Sequence, residues 1–341
     1  MAQYASLSEP DVEWLKLAPS MPSLYTTDIP EFRNIWKTMI DNVNSQTGPL
    51  PIDEQRVTVE KFGIQADGFS IPCRTYVPEI KPELGETPGQ KFPLLFWSYG
   101  GAFCFGTLND NDVMLKSLAA NLRITCVSVD YRKAPENPFP ASVNDGYAGF
   151  KWALANTEGI SVDVSKGVIV GGFSAGGNLS AVITRKALKD RDVRGKITGQ
   201  ILISPYMLFK GAYPDKWKSK LLSTTQNADD MILPRKAVEF YEATYLGGKT
   251  ENGFNPDFSP LLAPSFEGLP PAYIQIAGCD PFRDEAFLYG ELLKEAGVKT
   301  RVDAYPGVPH GFHAFAPDFP LCRKQDADFR SAINWLLGRT E

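Results

Sequence analysis

One serine in this chain sits where a nucleophile could be made: Ser174, at the centre of Gly172-Phe173-Ser174-Ala175-Gly176. Small residues two places before and after it let a strand turn abruptly into a helix, which lifts the hydroxyl clear of the sheet edge. The flanks agree, because the apolar run 167–171 precedes the motif and a helical pattern over 178–189 follows it. Such a hydroxyl needs a base. Neutral imidazole takes and returns a proton near neutral pH at its ordinary pKa, and the chain has two histidines, His310 and His313, in Pro309-His310-Gly311-Phe312-His313. The base is therefore one of these two. Enzymes with this type of turn run in the order serine, acid, histidine, so the third group is a carboxylate between residues 174 and 310. Asp280 fits, following the apolar run 272–277 and a Gly278-Cys279 turn. Asp284 is the alternative acid, although it stands where a helix begins and where the dipole favours a first-turn carboxylate. Attack on an ester carbonyl also makes an oxyanion. Gly100, Gly101 and Ala102, just after the run 92–98, offer backbone amides with little side chain in the way, and Ala175 offers another.

These groups must be brought to one place, and the order of elements does so. Strand-like runs lie at 56–64, 71–77, 92–99, 124–130, 167–171, 200–204, 272–277 and 300–305. From the third onward they alternate with helical patterns at 113–122, 143–155, 178–189, 285–296 and 326–337. Such alternation predicts an α/β fold: parallel strands joined by right-handed crossovers, with helices on both faces. The first two runs, joined through Gly68, read as an antiparallel hairpin at one edge. Ser174, Asp280 and His310 each fall just beyond a strand end, so all three belong at one carboxyl rim, where open α/β sheets bind ligands.

Several separated segments together resemble the hormone-sensitive-lipase-like (family IV) esterases of the α/β-hydrolase fold. They are Tyr99-Gly100-Gly101-Ala102 with Phe103, Asp130-Tyr131-Arg132-Lys133-Ala134-Pro135-Glu136, Ser174-Ala175-Gly176-Gly177-Asn178, Asp280-Pro281-Phe282-Arg283-Asp284-Glu285, and His310-Gly311-Phe312. The resemblance implies a mostly parallel eight-stranded sheet with a helical cap. It places the nucleophile at Ser174, the acid at Asp280, the base at His310 and the oxyanion donors at Gly100, Gly101, Ala102 and Ala175. It also implies a division into an N-terminal cap segment (1–50), a first core part (51–206), a cap insertion (207–265) and a second core part (266–341). In the family the two cap regions meet over the site, where they exclude water and shape the pocket.

This chain departs from the family at two positions. Tyr99 stands where the family usually has histidine before its glycines, and Phe173 stands before the nucleophile where an acidic or small polar residue is common. A phenol can partly take over the histidine's hydrogen bonds to the loop, and Phe173 offers an apolar wall. Tyr99, Phe103, Phe173 and Tyr206 are the expected substrate-binding side chains. The 130–136 run reads as a brace for the site.

Composition narrows the remaining classes. With 40 acidic and 35 basic residues, net charge −5, the chain has no nucleic-acid surface in its balance of charge. No apolar run approaches the length of a spanning helix, and Met1 to Pro10 lacks the basic flank and apolar core of a signal peptide, so a cytoplasmic location is expected. Five cysteines are widely spaced and odd in number, which favours neither a zinc site nor a disulfide framework. No dinucleotide fingerprint or phosphate loop is present. The expectation is a serine carboxylesterase acting on short- to medium-chain or specialised small-molecule esters without cofactor or metal. Edge strands and the last helix offer a surface for a homodimer. Alternatives are an acyltransferase, a lactonase, a repurposed non-hydrolytic enzyme of a biosynthetic pathway, or a ligand-binding receptor on the same fold.

Overall fold

The structure is a computed structural model and describes residues 3–21, 23–46, 56–314 and 316–339. The boundary expected at residue 50 lies outside the described residues, as do Met1 and residues 340–341 of the chain ends.

Eight strands form one sheet: β1 (Val57–Ala66), β2 (Phe69–Pro78), β3 (Leu94–Ser98), β4 (Thr125–Val129), β5 (Val168–Phe173), β6 (Gly199–Ile203), β7 (Ala272–Ala277) and β8 (Thr300–Tyr305). Their spatial order is β1-β2-β4-β3-β5-β6-β7-β8. β1 pairs with β2, and β2 with β4, in antiparallel fashion, while every other pair is parallel. The hairpin between β1 and β2 turns on Asp67 and Gly68, both with positive φ, a two-residue turn whose twist matches the strands it joins. Strands β3, β4, β6 and β7 are buried at every position, as strands covered on both faces must be.

Side-chain alternation along β3 shows how the two faces are filled. Leu95 and Trp97 meet the helices at 112–122 and 320–336 on one side, in a cluster with Leu115, Leu118, Phe329 and Ile333. Leu94 and Phe96 face the other side, with Phe150, Ala153, Ile183 and Ala187. In chain order the helices are α1 (Val12–Leu17), α2 (Ile29–Gln46), α3 (Asp112–Leu122), α4 (Ala141–Ala155), α5 (Ala175–Ala187), α6 (Ser223–Gln226), α7 (Arg235–Leu246), α8 (Arg283–Glu295) and α9 (Pro320–Leu336). Thus α3 and α9 cover one face, and α4, α5 and α8 the other.

Several helices begin earlier than the pattern suggests. α5 starts at Ala175, directly after Ser174, and α9 starts at Pro320 rather than near 326. Proline is well suited to a first helical turn because the amide it lacks has no intrahelical partner there.

A third apolar cluster joins sequence-remote parts beside the carboxyl rim of the sheet. It contains Trp14, Leu24, Ile29 and Phe32 from early in the chain, Ile232, Val238, Tyr241 and Tyr245 from between β6 and β7, and Phe103, Phe105 and Ala175 from just after β3 and β5. Hydrogen bonds stitch the same seam, with the Leu24 amide donating to the Ile232 carbonyl (2.7 Å) and the Tyr241 hydroxyl to the Leu24 carbonyl (2.7 Å).

Candidate active site

The turn at Ser174 is set by close backbone approach. Ser174 adopts φ 56° and ψ −118°, a sparsely populated conformation for a side chain-bearing residue. A Cβ at Gly176 would lie 2.0 Å from the Ser98 carbonyl oxygen, and one at Gly172 would lie 2.3 Å from the Gly176 carbonyl oxygen. Neither position tolerates a larger residue, which is why the glycine spacing around the serine carries so much information. The turn is held by the Ser174 amide donating to Ile203 (2.9 Å) and the Asn178 amide to Ser174 (3.0 Å).

Ser174, Asp280 and His310 converge at the rim. His310 Nε2 is 3.0 Å from Ser174 Oγ, and His310 Nδ1 is 2.7 Å from Asp280 Oδ2. All three are nearly removed from solvent, at 6 %, 1 % and 2 % exposure for Ser174, Asp280 and His310. Asp280 Oδ1 accepts from the Phe282 amide (2.8 Å), which fixes the carboxylate independently of the imidazole. An acceptor at Asp280 selects the tautomer with its proton on Nδ1, leaving the Nε2 lone pair toward the serine hydroxyl.

His313 does not share this geometry. It borders the cavity with its ring edge-on to Phe173 (4.9 Å), and burial together with nearby His310 lowers its pKa to about 4. Asp284 is likewise spoken for, because its Oδ2 accepts from the Leu222 and Ser223 amides (2.8 and 2.7 Å) at the start of α6 and its Oδ1 from Arg283 Nε (2.8 Å). Of the competing bases and acids, the structure brings together His310 and Asp280.

The glycine loop is arranged so that its amides are free. The Tyr131 hydroxyl donates to the carbonyls of Tyr99 (3.0 Å) and Gly100 (3.3 Å), while the Gly101 carbonyl accepts from the Cys104 and Phe105 amides (2.8 and 2.9 Å). In a trans peptide the carbonyl and the next N–H point in opposite directions. Fixing those carbonyls therefore turns the amides of Gly100, Gly101 and Ala102 the other way. Among the described residues none of these amides, nor that of Ala175, donates to a protein acceptor. All four residues line the same cavity as Ser174 and His310. Gly101 has φ 119°, and a Cβ there would collide with the Phe105 carbonyl oxygen at 2.2 Å.

Phe103, Phe173 and Tyr206 line the cavity, whereas Tyr99 does not. Expected to touch substrate, Tyr99 is instead buried at 1 % exposure, stacked on Tyr131 with centroids 4.6 Å apart, and donates its hydroxyl to Asp130 Oδ1 (2.5 Å). Its side chain leaves β3 on the side of the 130–136 run, so it braces the loop from behind. That run is itself held by paired charges: Arg132 on Asp145 (2.7 Å), Lys133 on Asp130 (2.6 Å) and Arg33 on Glu136 (2.8 Å).

The cavity encloses about 950 Å³ including its mouth and is walled mostly by aromatic and aliphatic side chains, among them Phe105, Ile232, Leu233, Tyr245 and Phe258. One carboxyl in that wall, Glu242, was not singled out by sequence. A signal existed: Val238, Tyr241, Glu242 and Tyr245 all line the cavity, and their spacing puts the acid within the apolar stripe of α7. Burial pushes the Cys104 and Cys279 thiols up to about 12, which disfavours their thiolates. No group of three or more His, Cys, Asp or Glu able to hold a metal occurs among the described residues.

Comparison with known proteins gives the family. A family model described as alpha/beta hydrolase fold matches residues 95–314. The carboxylesterase NlhH of Mycobacterium tuberculosis is 34 % identical, with 86 % of each chain covered. Among solved structures, vibralactone cyclase has a TM-score of 0.90 at 33 % identity, covering 98 % of this chain and 96 % of its own. A hyperthermophilic esterase from Pyrobaculum calidifontis has a TM-score of 0.82 at 29 % identity, covering 96 % of this chain and 99 % of its own. The chain belongs to the α/β-hydrolase-fold family, in the hormone-sensitive-lipase-like group that its motifs resemble.

Proposed function

We propose that this protein is a serine carboxylesterase, and the observation that carries the reading is the continuous contact from Ser174 Oγ through His310 to Asp280. Ser174 Oγ attacks the ester carbonyl carbon as its proton passes to His310 Nε2. The resulting oxyanion is received by the free amides of the 100–102 loop and Ala175, each such donor contributing roughly 3 kcal/mol to lowering the barrier. Asp280 orients the imidazole and stabilises its cationic form. The tetrahedral intermediate collapses, the alkoxide takes the proton from Nε2, and the alcohol leaves. Water then repeats the sequence on the acyl-enzyme, giving up a proton to His310 and releasing the acid with Ser174 restored.

The apolar walls suit uncharged acyl esters of short or medium length, or compact small-molecule esters. Steady-state hydrolysis of p-nitrophenyl acetate, butyrate and octanoate tests this. The reading predicts turnover lost in Ser174→Ala and in His310→Ala; turnover that survives either change contradicts it.

The likeness to vibralactone cyclase supports a second reading, in which a nucleophile of the substrate itself, rather than water, resolves the acyl-enzyme. Product analysis in ¹⁸O-labelled water separates the two, since only hydrolysis incorporates the label. Within the same proposal we place the protein in the cytoplasm, which fractionation tests; sedimentation velocity tests whether it forms a homodimer. Among the described residues no helix is long and apolar enough to cross a membrane.

A further inference from the structure

The polar groups that border the catalytic cavity are nearly all committed elsewhere. Asp110 accepts from Trp36 Nε1 (2.7 Å) and from the Thr107 amide and hydroxyl (2.9 Å each), and Asn111 Oδ1 accepts from Trp97 Nε1 (2.9 Å). The Tyr241 hydroxyl is given to the Leu24 carbonyl, and that of Tyr245 is paired with Ser142. Glu242 differs. Its Oε1 accepts from the Tyr206 hydroxyl (2.8 Å) and the Lys210 amide faces the carboxylate, yet an ionised carboxylate has about four acceptor sites.

Glu242 is also in an unusual place for an acid. It is 8 % exposed in a wall built with Val238, Tyr241, Tyr245 and Phe258, and burying a carboxyl among such side chains is costly. Holding the Tyr206 hydroxyl does not require it, because a neutral amide or a backbone carbonyl accepts a phenol as well. Its remaining acceptor sites, on a residue that lines the cavity, are open to a ligand group.

The ring contacts indicate where this group lies relative to the reacting atoms. The Phe282 ring stands edge-on to the His310 imidazole (5.3 Å), Tyr206 stands edge-on to Phe282 (5.1 Å), and Glu242 is bonded to the far hydroxyl of Tyr206. Two aromatic rings, Phe282 and Tyr206, link the carboxyl to the imidazole in this run of contacts. We propose that Glu242, together with Tyr206, forms a subsite for a hydroxyl group carried by the substrate several carbons from its ester. This rests on the esterase reading of Ser174. Burial raises the Glu242 pKa to about 7, so carboxylate and carboxylic acid coexist near neutrality. A hydroxyl pairs with both forms, as donor to the first and acceptor from the second.

The test compares kcat/KM for p-nitrophenyl ω-hydroxyhexanoate and heptanoate, which match in length, and repeats the comparison on the alcohol side with ω-hydroxyhexyl and heptyl butanoate. One of the two pairs is expected to favour the hydroxylated ester about tenfold or more, because a buried acceptor left unpaired penalises the methyl-terminated analogue. In Glu242→Leu that ratio should fall to one or below, whereas Tyr206→Phe, which keeps the carboxyl, should retain a preference. A general loosening of the wall lowers both rates and leaves their ratio unmoved. Absence of preference in both pairs, a ratio unchanged in Glu242→Leu, or a stronger preference for an ω-ammonium ester overturns the proposal. Hydrolysis of the heptanoate that disappears in Ser174→Ala sustains the esterase reading even then, and failure to cleave any ester removes both.

Discussion

The Phe173 ring lies over the His310 imidazole, with centroids 5.1 Å apart and planes inclined by 28°. The residue immediately before Ser174 thus touches His310, and it also packs on the glycine loop, where a Cβ on Gly100 would come within 2.7 Å of Phe173 Cδ1. An aromatic face stabilises a cation, and the imidazole becomes cationic only as the serine proton arrives. Replacing Phe173 with leucine should therefore lower kcat roughly two- to fivefold, the equivalent of about 0.5–1 kcal/mol. Steady-state kinetics on a p-nitrophenyl ester measure this, and an unchanged or raised kcat counts against it.

On the proposed mechanism, Tyr131 acts on the reaction through the loop it holds. Removing its hydroxyl in Tyr131→Phe frees the Tyr99 and Gly100 carbonyls, so the amides opposite them are no longer fixed. We expect kcat to fall about tenfold with KM little changed, because an oxyanion donor contributes mainly in the transition state. Affinity for a trifluoromethyl ketone, which mimics that state, should weaken in parallel. A loss confined to KM would show that the hydroxyl serves substrate binding instead.

His313 carries a pH signature of its own. Its folded pKa of about 4 lies below the ordinary value near 6.5, so between these limits the unfolded chain binds the proton more readily. The stability due to a neutral His313 is whole above about pH 6.5 and is lost as pH falls toward about 4, by at most about 3 kcal/mol. His313→Gln should flatten that acid-side decline in urea titrations and retain hydrolysis. An unaltered decline, or loss of turnover as complete as in His310→Ala, contradicts the assignment.

What was legible in the sequence follows from how local each constraint is. The serine turn could be read because Gly172 and Gly176 meet backbone atoms, and every strand run from 56 to 305 found its counterpart in the sheet. The order of apolar runs also carried the topology. Tyr99 was misplaced for a definite reason: adjacency to a loop does not say where a side chain packs, and the Asp130 acceptor and Tyr131 ring that it meets do not line the cavity. The cavity walls were hardest to read, because they pair residues such as Leu24 and Tyr241 that are 217 positions apart. No local pattern encodes such a contact.

Arg283 joins three of these distant parts. With 0 % exposure, it donates to Asp284 (2.8 Å), to the Gly278 carbonyl (3.2 Å), to Gln226 (2.5 Å) and to Ser8, next to the acid Asp280. Removing one member of a buried charge pair leaves its partner uncompensated. Arg283→Met should lower unfolding free energy by about 3 kcal/mol, read from the urea midpoint. A change below about 1 kcal/mol would show that the clamp is dispensable.

The most direct test of the account is covalent. A fluorophosphonate should label the protein at a single peptide containing Ser174, with hydrolysis of p-nitrophenyl butyrate lost in proportion to labelling and no label taken up by Ser174→Ala. Label on another residue, or hydrolysis that persists once Ser174 is fully modified, would contradict the claim that the contact of Ser174 with His310 is the reacting centre.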